Sequence, residues 1–264
     1  MALGALQGPT ELLPVSSSGH LGLVPELCGW EYVSLDPELR KSFEVALHAG
    51  TAAALALVLR GEVGEALRGL GPRRLAGIGL TFLPAALVAA PFERAIERRL
   101  GSARSVAVAQ VCAGAALALA DLRAAERGHA DARELDHLLI GCGQAVALVP
   151  GVSRNGATLT AARLLRFARP AASELSRHAA LPVIAAATGL KTLRLGRRGL
   201  PHSLRAPFAA GAAAAFASTF ASARLIRVID GARSYLPFAA YRVALGALVL
   251  TAQRRRSRRP PASA

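Results

Sequence analysis

Two short polar clusters interrupt otherwise apolar sequence, and each carries side chains suited to chemistry. The first holds Gln7, Glu11, Ser16, Ser17, Ser18 and His20. Gln7 and Glu11 are four residues apart and therefore share one face of a helix, while His20 follows Ser17 by three. A carboxylate and an imidazole inside an apolar segment are costly unless they meet partners or an aqueous cavity. A hydroxyl beside a carboxylate and an imidazole is the raw material of nucleophilic catalysis. The plainer alternative is a helix capped by Ser17 or Ser18, with His20 exposed at an interface.

The second cluster, Pro150-Gly-Val-Ser-Arg-Asn-Gly-Ala-Thr158, suits an anion. Ser153 and Asn155 can cap a helix whose free N–H groups attract negative charge, Arg154 offers a planar fork for phosphate oxygens, and Thr158 adds a hydroxyl one turn on. The plainer alternative is a capped helix start with Arg154 snorkelling to headgroups. Taken together, an acidic turn facing an anion-binding turn predicts a metal-assisted phosphate site. One carboxylate would hold a divalent cation, and Arg154 would neutralise the non-bridging oxygens.

The elements that must carry these clusters are unusual. The stretches from about 2 to 27 and from about 137 to 167 are each broken in the middle, by Pro9, Pro14 and the serine run in one, and by Pro150-Gly151 and Ser153-Arg-Asn-Gly156 in the other. Each reads as two half-length helices joined by a polar turn, which at membrane depth is tolerated only where it lines a protein cavity. Gln7 lies eight residues before Val15-Ser16-Ser17-Ser18-Gly19, and Gln144 lies eight before Val152-Ser153-Arg154-Asn155-Gly156. The same offset of 137 carries a later apolar stretch, 104–120, nearly onto 236–252, which predicts a duplicated chain.

Composition sets the medium. With 264 residues, 53% hydrophobic and 19% charged, the chain is too apolar for a disordered basic protein or for most soluble enzymes. The net charge of +15 comes from 32 basic residues, of which only Lys41 and Lys191 are lysines. The arginines flank apolar stretches rather than alternating with aromatics, so the charge predicts membrane anchoring and no nucleic-acid partner. Cys28, Cys112 and Cys142 are far apart and show no Cys-x-x-Cys or Cys/His spacing, so they indicate neither a disulfide framework nor a zinc site. The first six residues are too short for a signal peptide, and insertion is expected to use the chain's own helices.

Six stretches of bilayer-crossing length lie at about 43–59, 75–92, 104–120, 179–195, 206–223 and 236–252. The expected fold is an all-α polytopic membrane protein, one membrane domain over 1–264, with six transmembrane helices plus two re-entrant helical hairpins. The first repeat covers 1–120, the second 137–252, and an Arg-rich tail follows over 253–264. A hairpin plus three spans is an odd number of crossings, so the second copy enters upside down and the two turns meet near the midplane, as in inverted-repeat transporters. Alternation groups Arg94, Arg98, Arg99, Lys191, Arg194, Arg197, Arg198 and the tail on one side, which the positive-inside tendency makes cytoplasmic by a slight margin.

The quoted motifs resemble a known family. Gln7-x-x-x-Glu11, Leu13-Pro-Val-Ser-Ser-Ser-Gly-His20 and Leu148-Val-Pro-Gly-Val-Ser-Arg-Asn-Gly-Ala-Thr158 closely resemble the bacterial undecaprenyl-diphosphatases associated with bacitracin resistance. The resemblance extends through Lys41-Ser-Phe-Glu-Val-Ala-Leu-His-Ala-Gly50, Ala172-Ser-Glu174, Leu181-Pro182 and Leu236-Pro-Phe-Ala-Ala-Tyr-Arg242. It implies hydrolysis of undecaprenyl diphosphate to the monophosphate and phosphate, in the bacterial cell membrane, with a polyprenyl diphosphate and membrane lipids as partners, Mg or Ca as cofactor, and room for a homodimer. It also implies metal-binding roles for Glu11 and Gln7, a nucleophile at Ser17, an essential histidine at His20, and phosphate contacts from Ser153, Arg154, Asn155 and Thr158. Ser17 would attack the terminal phosphorus with Glu11 or His20 taking its proton, and direct attack by water stays open.

Three departures from that family stand out. Gln7 replaces a carboxylate common among relatives, Asn155 stands where serine is usual, and Ser176-Arg177-His178 brings charge to a commonly apolar place. Two rival readings make different demands. A type-2 phosphatidic-acid phosphatase would need a His and an Asp four residues apart soon after Ser153-Arg154, and the segment to Leu175 has neither. A secondary transporter or lipid flippase would use the same architecture and need no nucleophile.

Overall fold

The computed structural model describes residues 1–257, apart from the side chains of residues 66, 67, 198 and 257. The end of the expected tail, including Arg258 and Arg259, lies outside the described residues. The described chain is all helical, without a named strand; its one β-bridge joins Arg127 to Phe167.

Four short helices form the two broken stretches: α1 (Ala2–Leu12) with α2 (Ser17–Cys28), then α7 (Glu134–Val146) with α8 (Arg154–Leu164). At 11 to 13 residues each, and a rise of about 1.5 Å per residue, none can cross a hydrocarbon core of about 30 Å. Long helices fill the intervals: α3 (Pro37–Val58), α5 (Pro72–Leu100), α6 (Ala103–Asp121), α9 (Arg169–Arg198), α10 (His202–Ala221) and α12 (Leu236–Ser257). Two short helices, α4 (Arg60–Arg68) and α11 (Leu225–Asp230), connect them, the second burying Ile229 in the core. Three long helices, α5, α6 and α12, are long and apolar enough to cross a membrane, and the protein is a membrane protein. Their exposed large side chains, such as Leu87, Leu119 and Leu248, are apolar, as a lipid-facing surface requires.

Small residues let backbones approach, which is how helices associate where burial from water offers little. Helix α1 packs on α10, α7 on α5, α3 on α10, and α6 along α12. A side chain at Gly4 would begin 2.6 Å from the Gly211 carbonyl oxygen, and one at Gly141 would begin 2.7 Å from that of Leu80, so both contacts exclude any larger residue.

The connection after α6 is tied down by charge. Asp121 accepts hydrogen bonds from the Tyr235 N–H at 2.8 Å, Ser234 at 2.9 Å and the Arg169 Nε at 2.7 Å, with Arg163 at 3.3 Å. One buried carboxylate thereby fixes the end of α6 to α8 and to the starts of α9 and α12.

Candidate active site

The two polar turns meet in the interior. Before α2 the chain makes its turn at Ser16, whose φ of 74° is left-handed, a costly conformation for a residue with a Cβ. Ser16, rather than Ser17 or Ser18, is the helix cap: its hydroxyl accepts from the Gly19 N–H at 3.2 Å. That arrangement leaves Ser17 Oγ free to donate to Glu11 Oε2 at 2.6 Å. In the second turn Gly151 takes the left-handed backbone, with φ 94°. Ser153 caps α8 by accepting from the Gly156 N–H at 3.1 Å. Asn155 does not cap; its side-chain amide donates to the Leu12 carbonyl across the interface at 3.0 Å.

Glu11 is where the turns join. Arg154 Nη2 reaches its Oε1 at 2.5 Å, while Gln7 donates to Oε2 at 3.4 Å beside Ser17. His48, from α3, stands 3.9 Å from Oε2. Its Nδ1 lies 2.7 Å from the Glu44 carbonyl, a contact only an Nδ1–H can make, so Nε2 is the atom facing Glu11. Arg154 is therefore not snorkelling outward: it pairs with a carboxylate from the other broken helix pair.

Two polar atoms in this cluster are buried without a protein partner, Gln7 Oε1 and Arg154 Nε. One is an acceptor suited to a cation and the other a donor suited to an anion, which is the pairing a metal-bound diphosphate would bring. Gln7 Oε1 and the Glu11 carboxylate are hard oxygen ligands, and with one carboxylate a magnesium-like ion would complete its shell from substrate oxygens and water.

The other expected residues are placed differently. Thr158 is fully buried, and its hydroxyl contacts the Arg154 and Asn155 carbonyls at 2.9 and 3.1 Å and Ser176 Oγ at 2.6 Å. His20 does not touch Ser17 or Glu11. Its Nδ1 donates to the Ser16 carbonyl at 2.7 Å, and its Nε2 lies 2.7 Å from the Tyr241 hydroxyl, on whose ring it stacks. Both ring nitrogens are thus occupied in holding the turn that presents Ser17.

Several residues without an assigned role in the sequence complete the site. Arg242 is wholly buried; its guanidinium reaches the Pro14 carbonyl at 3.4 Å, the Gly151 carbonyl at 3.1 Å and Gln110 Oε1 at 3.0 Å. Gln110 in turn donates to the Val15 carbonyl at 2.9 Å. One side chain therefore binds both turns, and only its position in a motif, Leu236-Pro-Phe-Ala-Ala-Tyr-Arg242, marked it. Ser176 joins Asn155 Oδ1 at 3.0 Å, and Arg177 beside it pairs with Asp230 and with Glu62. This accounts for two residues of the anomalous Ser176-Arg177-His178 run.

A surface-open cleft is lined by Glu11, Arg154 and Asn155, by Ser176 and Arg177, and by Leu55, Leu59, Leu181 and Ile184. Its lining combines charged and polar groups with an aliphatic set, which suits an amphiphile with an anionic head.

Known proteins give the same indication. Residues 1–248 match the family model described as "Bacitracin resistance protein BacA". The undecaprenyl-diphosphatase of Geobacter sulfurreducens is 39% identical over 265 residues, spanning 94% of this chain and 95% of the relative. The undecaprenyl-diphosphatase of Campylobacter concisus is 34% identical over 95% of this chain and 96% of the relative, and that of Thioalkalivibrio sulfidiphilus is 36% identical over 95% and 96%. On the match across nearly its whole length, the chain belongs to the BacA family of bacitracin resistance proteins.

Proposed function

We propose that this protein hydrolyses undecaprenyl diphosphate to undecaprenyl phosphate and inorganic phosphate in the bacterial plasma membrane, returning the lipid carrier to cell-wall synthesis. The observation that carries this reading is the line Ser17–Glu11–Arg154, which sets a hydroxyl and a cation from opposite hairpins on one carboxylate. Ser17 Oγ attacks the terminal phosphorus as its proton passes to Glu11 Oε2. The anhydride P–O bond breaks, the lipid monophosphate leaves, and water then hydrolyses the phosphoserine. Arg154, freed from Glu11 as that carboxylate takes the proton, turns its guanidinium to the phosphate oxygens, with the unpartnered Nε already available. Bound Mg or Ca would supply charge neutralisation of the diphosphate, held by Glu11 and the free Gln7 Oε1. Ser153 and the first turn of α8 add a positive helix end near the same oxygens. His20 positions Ser17 through the Ser16 carbonyl. The aliphatic wall of the cavity takes the prenyl chain nearest the diphosphate.

The finer architecture belongs to this proposal: α3, α5, α6, α9, α10 and α12 are the six spans, and the two helix pairs are re-entrant hairpins of an inverted repeat. Its support is the regularity at an offset of 137. Gly4 and Gly141 both sit at close helix approaches, Gln7 and Gln144 are both buried with an unpartnered Oε1, and Ser16 and Ser153 cap α2 and α8 in the same way. The packing of α1 on α10 likewise matches that of α7 on α5.

The test is purified protein in proteoliposomes containing undecaprenyl diphosphate. Release of inorganic phosphate is expected; movement of intact diphosphate between leaflets without release would make the protein a flippase and overturn the proposal.

A further inference from the structure

A second cluster of ligating side chains lies outside the catalytic cavity. Glu174 and His178 are four residues apart on α9 and so project from one face. His129 comes to them from the loop between α6 and α7, where residues His129–Asp131 form a 3-10 turn packed on α9. One ligand atom from each residue lies within 4.8 Å of the others, with His129 Nε2 and Glu174 Oε1 at 3.9 Å.

The loop is built to hold His129 in place. Arg127 grips Asp136 through both guanidinium nitrogens, at 3.0 and 2.6 Å, donates to the Asp131 carbonyl at 2.8 Å, and covers the Phe167 ring at 4.1 Å. Its backbone pairs with the segment before α9 in both directions, to the Arg166 carbonyl at 3.1 Å and from the Ala168 N–H at 2.9 Å. Asp131 returns to the Gly128 N–H at 2.7 Å, closing the turn that carries the histidine. A short loop anchored on both sides of a three-residue ligand set lowers the ordering cost of binding an ion.

We propose that His129, Glu174 and His178 form a site for a transition-metal dication, zinc above all. Two imidazoles and one carboxylate select a borderline metal over magnesium or calcium. Three protein ligands leave the fourth tetrahedral position for water. Tetrahedral zinc needs ligand atoms about 3.3 Å apart, given bonds of about 2.0–2.2 Å, so side-chain rotation must draw this set in modestly. His129 and Glu174 side chains are 40% and 43% exposed, which gives an ion a route in from water. Arg74 and Arg177 are the cations near His178, and Arg177 is already paired with Asp230 and Glu62. Cysteine spacing gave no hint of zinc because no cysteine takes part and His129 is 45 residues before Glu174. A bound ion would bolt the α6–α7 loop to the face of α9 opposite Ser176, which lines the cavity.

The test is zinc binding to detergent-purified protein without a polyhistidine tag, by competition with a chromophoric chelator, with cobalt as a spectroscopic stand-in. One zinc per chain is expected, with a tetrahedral cobalt spectrum. Affinity should fall at least about tenfold in His129→Ala, Glu174→Gln and His178→Ala, and remain unchanged in His202→Ala. Equal binding by the wild type and the triple variant would overturn the proposal. Should a variant fail to fold, zinc must instead protect His129 and His178 of the wild-type protein from diethyl pyrocarbonate; failure to protect them would equally contradict it.

Discussion

At the scale of single residues, the site consists of groups that are cheap to bury only together. Glu11 is stabilised by Ser17, Gln7 and Arg154, so replacing it removes the proposed base and also strands the Arg154 guanidinium. His20 has a different task, and Tyr241→Phe tests it. Loss of the hydroxyl at Nε2 should cost about 1 kcal/mol of stability while leaving most phosphatase activity. His20→Ala, which also frees the left-handed Ser16, should lose both; thermal melts read beside phosphate release separate the two. Equal activity loss in both variants would return His20 to proton transfer. Residue types alone marked an acidic turn facing an anion-binding turn, but not that Arg154 and Ser17 would both rest on Glu11. Nor did they mark His48, because its approach to Glu11 depends on how α3 packs against α1, which no local spacing encodes.

Among the elements, the two broken helix pairs are joined by Arg154 to Glu11, by Asn155 to the Leu12 carbonyl, and by Arg242, whose acceptors lie on both turns and on α6. Arg242→Ala should destabilise by about 1–3 kcal/mol for each buried acceptor left without its donor. Arg242→Lys should recover little, because an ammonium cannot span three separated acceptors; the midpoints of thermal unfolding measure both. The start of α7 offers an acid-sensitive counterpart outside the apolar stretch that follows it. Burial alone would push Asp136 up, but the Arg127 fork and the Arg133 N–H outweigh it and hold the carboxyl below the usual aspartate range. The folded protein therefore binds this proton less readily than the unfolded chain. The pair adds stability above about pH 4 and loses it as pH falls further. Asp136→Asn should flatten that acid limb of the unfolding midpoint while lowering stability at neutral pH. Both broken stretches and their polar turns could be read from proline, glycine and serine placement. The capping residue of α2 could not, since three consecutive serines compete and only the left-handed backbone at Ser16 decides.

For the whole molecule, Gly4 and Gly141, 137 residues apart, both lie where one helix meets the backbone of another. Gly4→Val and Gly141→Val should each destabilise the protein severely, because each new side chain meets backbone rather than a movable neighbour. A variant of Gly22, where no atom lies within 4 Å of an added Cβ, should be tolerated, and detergent melting curves compare the three. The apolar stretches likewise became long helices; α3 and α9 carry charge in their first turns and beyond, whereas α5, α6 and α12 are long and apolar enough to cross a membrane. The +15 charge divides in the same way. Many arginines sit at helix ends, whereas Arg154, Arg163 and Arg242 lie inside and bind carboxylates or carbonyls.

The central claim is that Ser17 and Arg154 meet on Glu11 to cleave a diphosphate. Its most direct test is the rate of phosphate release from undecaprenyl diphosphate by purified wild type, Glu11→Gln, Ser17→Ala and Arg154→Ala, each shown to be folded by its melting curve. Wild type should be active and Glu11→Gln should lose roughly 10²–10⁴-fold in kcat, the range for a lost general base, with Ser17→Ala and Arg154→Ala at least as impaired. Full activity in folded Ser17→Ala or Glu11→Gln would contradict the account.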